Sequence, residues 1–351
     1  MIAFKDFPFA AAALSSVLVG LVACGGAPTV VTSGMRPTMS PSSSPTPHSI
    51  SLAEYSTTTP HSGPNGIAAG PDGNIWFTEY DASKIGRITT AGVVTEYSPP
   101  TANSTPFGIA AGLDGNLWFT EAHAGQIGKI TPSGVITEYL TPTVNSGPAD
   151  IVGGPDGNLW FAESNVSKIG RITTTGVLTE YATLTANSRP VGIAAGPDGN
   201  VWFTEYDANR IGRITRTGVM TEYSPPTANS GPYSIAAGPD GNLWFTGEGI
   251  GQYLSTVSQI GKITTAGVIT QYLTPTPHSG PIGIAAGPDG NMWFTEYGAE
   301  ANQIGRITTA GLITEYTMPT TGSGPDNLTA GPDGNLWFTE NDASKIAELA
   351  L

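Results

Sequence analysis

The sequence is poor in cysteine and in basic residues. Cys24 is its single cysteine, so no disulfide can form within the chain and packing alone must hold the fold. Lys and Arg number 14 against 28 Asp and Glu, which gives a net charge of −14. Phosphate backbones and anionic membrane surfaces repel such a chain, so we expect no nucleic-acid partner and no direct attraction to a membrane. Charged residues make up 12% and hydrophobic residues 39% of the sequence, which argues against disorder outside the N-terminal region.

An apolar segment over residues 7–20 is too short to cross a bilayer comfortably. It leads into Leu21-Val22-Ala23-Cys24, which resembles the lipobox of bacterial lipoprotein signals. This resemblance implies a signal peptide over residues 1–23 and a lipid on Cys24, so that the exported protein is anchored to the cell envelope by lipid alone. An ordinary secretory peptide with an incidental cysteine is the alternative. Residues 24–49 are rich in Pro, Ser and Thr, as in a linker between an anchor and a domain.

Tryptophan recurs seven times in the frame Asp-Gly-Asn-apolar-Trp-Phe. The positions are Trp76, Trp118, Trp160, Trp202, Trp244, Trp293 and Trp337, and the first five are 42 residues apart. A repeated unit of this length, with Gly turns and short alternating runs, is typical of a propeller blade of four antiparallel strands. We therefore predict an all-β fold, a seven-bladed β-propeller over residues 50–351.

The turns and the chain ends complete this prediction. Asp72-Gly73 is a two-residue hairpin signal in which both residues are expected to have a positive φ, and Gly92 serves a similar turn between the third and fourth strands. The chain ends after a third strand, whereas residues 50–55 match the fourth-strand pattern. We therefore expect the N-terminal strand to complete the last blade, which removes the exposed edge of an open ring.

Alternate connections of an antiparallel blade emerge on opposite faces of the disc. The short Pro-Asp-Gly-Asn and Thr-Thr-Ala-Gly turns share one face, called here the hairpin face. The loops after Trp-Phe-Thr-Glu share the other face with the long crossovers between blades. Variation between units concentrates on this second face, the variable face, so we expect function there.

Residues that differ from blade to blade follow the crossover prolines, and the loop of the fifth blade is seven residues longer than that of the first. From these places we predict the ligand-binding residues, which are Asn65, Phe107, Asp150, Tyr233, Tyr253 and Asp326. Aromatic walls with a few polar anchors suit a small organic or peptide ligand. Local packing among loops is the alternative.

Histidines and carboxylates of the variable face are weaker candidates for chemistry. His278 and His61 in the crossovers and Glu248 in the long loop are candidates for a base, although solvated loop histidines are the simpler interpretation. Six units carry a glutamate three residues after Trp: Glu79, Glu121, Glu163, Glu205, Glu296 and Glu340. Carboxylates can bind a hard cation, so Asp326 and Glu340 are the metal candidates. Pairing of the repeated glutamates with the third-strand basic residues, such as Arg87, within or between blades is the simpler interpretation.

The unit Gly-Pro-Asp-Gly-Asn-Leu-Trp-Phe-Thr-Glu, followed by Ile-Gly-Arg-Ile-Thr and Ile-Thr-Glu-Tyr, resembles the repeat of the virginiamycin B lyase family over residues 50–351. The resemblance implies a seven-bladed propeller, with Mg²⁺ as a possible cofactor, that opens the ester ring of streptogramin B antibiotics by elimination. It also implies a catalytic set of a tyrosine, two histidines and two glutamates at the mouth of the channel. The matching positions here are Asn65, Ile282, Asp326, Gly324 and Asn341.

None of these five residues is the one that the family pattern requires. We therefore expect a lyase-like protein that binds a ligand, and we expect the family's own reaction to be absent. The alternative is a Mg²⁺-assisted carbon–oxygen lyase that opens cyclic lactones with a base taken from another loop.

Overall fold

The structure, a computed structural model, describes residues 48–49, 52–250, 257–298 and 301–351. Within these ranges the chain forms 29 β-strands, arranged as seven sheets of four or five strands. The described residues contain no helix that is long and apolar enough to span a membrane. The prediction of a seven-bladed propeller is confirmed.

Each blade is numbered from its innermost strand outward. Blade one contains β3 (Pro64–Ala69), β4 (Ile75–Glu79), β5 (Lys84–Ile88) and β6 (Val94–Tyr97), and blade two contains β7 (Pro106–Ala111), β8 (Leu117–Glu121), β9 (Gln126–Ile130) and β10 (Ile136–Leu140). Blade three contains β11 (Pro148–Gly153), β12 (Leu159–Glu163), β13 (Lys168–Ile172) and β14 (Leu178–Ala182). Blade four contains β15 (Pro190–Ala195), β16 (Val201–Glu205), β17 (Arg210–Ile214) and β18 (Met220–Tyr223). Blade five contains β19 (Pro232–Ala237), β20 (Leu243–Gly247), β21 (Gln259–Ile263) and β22 (Ile269–Leu273). Blade six contains β23 (Pro281–Ala286), β24 (Met292–Glu296), β25 (Gln303–Ile307) and β26 (Ile313–Thr317). Blade seven contains β27 (Pro325–Ala330), β28 (Leu336–Glu340), β29 (Lys345–Leu349) and β2 (Leu52–Ser56).

The N-terminal strand closes the ring as predicted. β2 pairs antiparallel with β29, from Leu52 opposite Leu349 to Ser56 opposite Lys345. A second contact was not expected: β1 (His48–Ser49) pairs in parallel with β26 of blade six. The segment before β2 therefore contacts the neighbouring blade before the chain enters blade seven.

The hairpin turns differ from the predicted type. Of Asp72 and Gly73, only Gly73 has a positive φ, at +75°. The Gly73 N–H donates to the Gly70 carbonyl at 3.2 Å, and the Gly70 N–H donates to the Asn74 carbonyl at 2.8 Å. This five-residue loop is a tight turn followed by one left-handed glycine, so the two-residue turn predicted at Asp72-Gly73 is wrong. Gly92, at +83°, has the expected left-handed conformation.

The core lies between the blades and consists of the repeated rings. Trp76 and Phe77 are fully buried, as are the matching rings of most other blades. The Trp76 indole N–H donates to Asp72 at 3.0 Å, and the ring stacks on Tyr97 with 5.6 Å between centroids. Phe77 lies directly on Gly86, where a Cβ atom would come within 2.1 Å of the ring. Glycine in the third strand is therefore required by the phenylalanine that faces it.

Candidate functional site

Two sets of seven side chains surround the mouth of the channel on the variable face. The inner ring follows the crossover prolines and consists of Asn65, Phe107, Ala149, Val191, Tyr233, Ile282 and Asp326. The outer ring lies four residues after each Trp and consists of Tyr80, Ala122, Ser164, Tyr206, Glu248, Tyr297 and Asn341. Both sets lie at the same face because the first strand of a blade begins where its second strand ends.

Contacts between blades join the two rings. Tyr80 packs edge-on against Phe107 of the next blade at 6.2 Å, and Tyr206 packs in the same way against Tyr233 at 6.1 Å. Two polar outer residues bond to the backbone of the next blade: the Ser164 hydroxyl donates to the Pro190 carbonyl at 2.6 Å, and the Asn341 Nδ2 donates to the Pro64 carbonyl at 3.2 Å. The wall of the mouth is therefore formed before any ligand arrives.

A cavity of about 120 Å³, open to solvent, lies on the axis within this mouth. Asn65, Phe107, Asp150 and Tyr233 all line it, together with Asn327 and glycines and aliphatic residues of the inner strands. Four of the six residues predicted to bind a ligand thus lie around one space. Binding itself stays a prediction.

Asp326, a fifth predicted residue, lies directly behind the cavity wall. The Asn65 Nδ2 donates to its Oδ2 at 2.7 Å, and the Asn327 Nδ2 donates to its Oδ1 at 3.1 Å. Burial raises the pKa of Asp326 to about 7, against the opposing effect of the Asn65 hydrogen bond, and the charge of Asp342 adds to the rise. The Asn65 Oδ1, on a side chain only 7% exposed, has no hydrogen-bond partner in the protein.

Asp150 is partly exposed to the cavity. Its Oδ1 accepts from the N–H of Ile151 at 2.8 Å, and its Oδ2 accepts from the N–H of Ile193 in the next blade at 3.3 Å. Desolvation raises the pKa of Asp150 to about 6 because these two hydrogen bonds offset the burial of the charge only in part.

The junction of blades four and five contains a cluster that the sequence analysis found only in part. Arg189 lies over the ring of Tyr206 at 5.0 Å, and its guanidinium is 3.8 Å from Asp207. The Tyr206 hydroxyl donates to the Gly249 carbonyl at 2.8 Å. Glu248 lies beside Tyr206, and burial raises the pKa of its carboxyl to about 7.

The sequence analysis did not include Arg189 among the candidates, although the sequence departs from the repeat at this position. Five crossovers read Ser-Gly-Pro, whereas Arg189 takes the place of the glycine in the fourth blade and Thr105 in the second. Both residues keep the left-handed conformation of that glycine, with φ values of +53° and +52°. Arg189 is a bulky residue in a strained conformation at the mouth. Such strain, at a position where most blades use glycine, points to a functional role.

The candidate histidines have a structural role in the turns. His61 and His278 are exposed on the crossovers, with φ values of +53° and +61°. Asn103, Asn145, Asn187 and Asn229 occupy the same left-handed position in other blades. Asn and His are among the non-glycine residues enriched in this conformation, which accounts for both histidines. Neither lines the axial cavity.

The described residues do not fit a Mg²⁺ site at the metal candidates. Among them, no group of three or more His, Cys, Asp or Glu side chains could hold a metal ion. Both Asp326 oxygens face amide N–H donors, which would repel a cation, and Glu340 belongs to a separate buried set. The remaining candidates, Tyr253 and Cys24, lie outside the described residues.

The six repeated glutamates do not pair with the third-strand basic residues, so that expectation is wrong. All six are 0% exposed, and a serine hydroxyl of a crossover lies beside each, as Ser62 lies beside Glu79. Arg87 instead lies over Trp76 at 5.6 Å and 4.0 Å from Asp72. Desolvation raises the pKa of Glu79 to about 7, and the charge of Glu96 contributes in the same direction.

Comparison with known proteins agrees with this architecture. The family model described as the virginiamycin B lyase family matches residues 45–253 and 253–351. A solved streptogramin B lyase is 40% identical, with a TM-score of 0.80 over 86% of this chain and 98% of that chain. The selenomethionine-substituted virginiamycin B lyase from Staphylococcus aureus is 39% identical, with a TM-score of 0.80 over 86% of this chain and 99% of that one. A catalytically inactive histidine-to-alanine variant of the Staphylococcus aureus enzyme, solved with quinupristin, gives the same values. The chain therefore belongs to the virginiamycin B lyase family.

Proposed function

We propose that this member of the family binds a compact organic or peptide ligand at the mouth of its channel. The observation that carries the proposal is the open axial cavity lined by Asn65, Phe107, Asp150 and Tyr233. Ligand sites are typically concave, with a few fixed polar groups that orient the ligand. Here residues of all seven blades surround one space, in which the polar side chains of Asn65 and Asp150 lie beside the rings of Phe107 and Tyr233. The predicted export and the lipid anchor at Cys24 remain part of the proposal.

The cavity volume determines how a ligand would lie. A space of about 120 Å³ is smaller than the roughly 300 Å³ or more of a typical site for a drug-sized molecule. Only one group of the ligand can enter it. The body would rest on the mouth against the Tyr80–Phe107 and Tyr206–Tyr233 pairs, which are already packed in place.

Binding without turnover is consistent with the residues at the expected catalytic positions. Ile282 cannot abstract a proton, and Gly324 has no side chain to do so. In the relative solved with quinupristin, a chain described as catalytically inactive was obtained together with that compound. A propeller of this family can therefore hold such a molecule without converting it.

Titration calorimetry with quinupristin tests the proposal. We expect saturable binding by the wild-type chain and a loss of about tenfold or more in affinity for Tyr233→Ala, because an aromatic wall of the mouth is removed. Val219→Ala is the matched control, since Val219 is 64% exposed at a turn of the hairpin face and should leave affinity unchanged. Absence of saturable binding, or an equal loss in both variants, would overturn the proposal.

Mass analysis of the same mixtures, with added Mg²⁺, separates binding from catalysis. We expect quinupristin to be recovered unchanged. A ring-opened product of unchanged mass and altered retention would establish the elimination reaction instead, and a gain of one water would establish hydrolysis.

A further inference from the structure

Asn65 and Asp150 bring side-chain oxygens to the wall of the axial cavity, and Ser234 of the same wall has a hydroxyl that can donate or accept. The Asn65 Oδ1 accepts no hydrogen bond from the protein and is buried within the wall, on a side chain that is only 7% exposed. The Asn65 Nδ2 donates to Asp326 at 2.7 Å, which leaves the Oδ1 as the unpartnered end of the amide. Each Asp150 oxygen accepts one backbone N–H and has a further lone pair available.

The charges around the cavity also favour a group that donates hydrogen bonds and is positively charged. Among the described residues that line it, none is Lys, Arg or His, whereas Asp150 is an acid and Asp326 lies one hydrogen bond behind Asn65. The nearest cation of the mouth, Arg189, already faces Asp207 and the Tyr206 ring. A group that enters the cavity therefore meets uncompensated acceptors and negative charge.

We propose that the axial cavity is a subsite for a protonated amine of the ligand, held by the carboxylate of Asp150, with the unpartnered Asn65 amide oxygen beside it in the wall. The proposal rests on the proposed function and specifies which part of the ligand enters the channel. An ammonium group has three donors and no acceptor, which matches a wall with free acceptors. Phe107 and Tyr233 line the same cavity, and aromatic rings attract such a cation.

An ammonium group fits better than the two other groups that could donate here. A hydroxyl has one donor and would leave most of these acceptors without a partner. Mg²⁺ requires about six oxygens in near-octahedral order, and the described residues bring no three acidic or histidine side chains together.

The protonation of the Asp150 and Asp326 carboxyls should depend on whether an amine is bound in the cavity. The pKa of Asp150 is raised to about 6 and that of Asp326 to about 7, mainly by burial. The facing charges are Asp342 beside Asp326, with Glu248 and Arg189 beyond Tyr233. Binding of a cation favours the ionised carboxylates, so it must release protons near neutral pH and strengthen between pH 5 and pH 8.

The test compares n-butylammonium with n-butanol, which has nearly the same shape, on the whole protein. We expect saturable binding of n-butylammonium at pH 8 by calorimetry, at least about tenfold weaker binding of n-butanol, and about tenfold weaker amine binding at pH 5. Titrations in two buffers of different ionisation enthalpy should show proton release at pH 6.5. The variant Asp150→Asn should weaken amine binding about tenfold, whereas Asp114→Asn, which changes the net charge equally at an exposed residue of the hairpin face, should change it less than about twofold.

Equal binding of amine and alcohol, no effect of Asp150→Asn, or no proton release would overturn the subsite. The quinupristin titration separates this failure from failure of the proposed function. Quinupristin binding that depends on Tyr233, without amine binding, would leave the mouth as a ligand site and remove the amine subsite alone. A normal melting temperature for Asp150→Asn confirms that a loss of binding is not a loss of folding.

Discussion

At the scale of single residues, the exceptions to the repeat carry more information than the repeat. The residue before the crossover proline is left-handed in every blade, and glycine, which has no Cβ, adopts that conformation without strain. Arg189 occupies the position at a φ of +53° and packs on Tyr206. The structure thus keeps a strained arginine at the mouth where most blades use glycine.

This strain can be measured with two substitutions at the same position. Arg189→Ala removes the side-chain contacts and keeps the strained backbone, whereas Arg189→Gly removes both. We expect Arg189→Gly to exceed Arg189→Ala in free energy of unfolding by about 1 kcal/mol, measured by urea denaturation. The control is Arg210, a strand residue whose φ is not positive, where Gly should be less stable than Ala. An Arg189→Gly variant less stable than Arg189→Ala would contradict this account of the position.

Single residues were also where sequence reasoning failed. The repeat gives the position of Glu79 and Arg87 in each blade, but it does not give their partners. Arg87 lies opposite Trp76 in the strand register, so its guanidinium packs on the indole and approaches Asp72. The histidines were ambiguous for the same reason, since only φ reveals that His61 and His278 occupy a left-handed turn position.

At the scale of elements, the regular spacing of Trp and Gly was sufficient to predict the blades, the four strands in each and the closure by the N-terminal strand. The turn at Asp72-Gly73 was not, because a two-residue signal does not show which flanking residues close the loop. Here Gly70 and Asn74 close it. The pairing of β1 with β26 was missed because two residues in parallel register leave no periodic pattern.

The closing strand β2 does more than pair with its neighbour. Tyr55 stacks on Trp337 at 5.8 Å, and Glu54 bonds to Thr320 of the preceding crossover and to Lys345. A chain that begins at residue 57 should therefore melt at least about 10 °C below one that begins at residue 52, measured by circular dichroism. The chain beginning at 52 lacks β1 and should lose less than about 2 °C against the longer protein. Equal melting temperatures for the starts at 52 and 57 would show that β2 does not close the ring.

At the scale of the whole molecule, the buried glutamates form a set of six carboxyl pairs. Each lies near a glutamate of a fourth strand, as Glu79 lies near Glu96 and Glu205 near Glu222. Blade five has lost both members, with Gly247 and Gln271 in their places. The Gln259 side chain takes the space beside Gly247, with its Cγ 3.1 Å from where a Cβ would stand. That both carboxyls are absent from one blade indicates that they interact in the others.

The two members of a pair respond to pH in opposite ways. Hydrogen bonds from Lys84 and the Thr59 region overcome desolvation and lower the pKa of Glu96 to about 2, so its contribution to stability is lost only as pH falls toward 2. Burial raises the pKa of Glu79 from 4.5 to about 7, as it does for four of the other buried glutamates. Their contribution is complete below about pH 4.5 and is lost as pH rises through 7.

The propeller should therefore be most stable near pH 4.5, should weaken as the pH rises from about 4.5 to 7, and should lose little more above about pH 8, where these glutamates are ionised in both the folded and the unfolded chain. Within that window each buried glutamate contributes a loss of roughly 1 kcal/mol per pH unit, and the losses from separate blades add. Urea midpoints at pH 4.5, 5.5, 7 and 8.5 measure the slope and the plateau. Glutamine has the shape of a neutral glutamic acid, so Glu79→Gln should reduce the loss between pH 4.5 and 7 slightly, and the triple variant Glu79→Gln, Glu121→Gln, Glu163→Gln should reduce it by about half. Asp114→Asn, at an exposed residue of the hairpin face, should leave the profile unchanged. If the triple variant lost stability between pH 4.5 and 7 as steeply as the wild type, the buried glutamates would not be the groups that titrate.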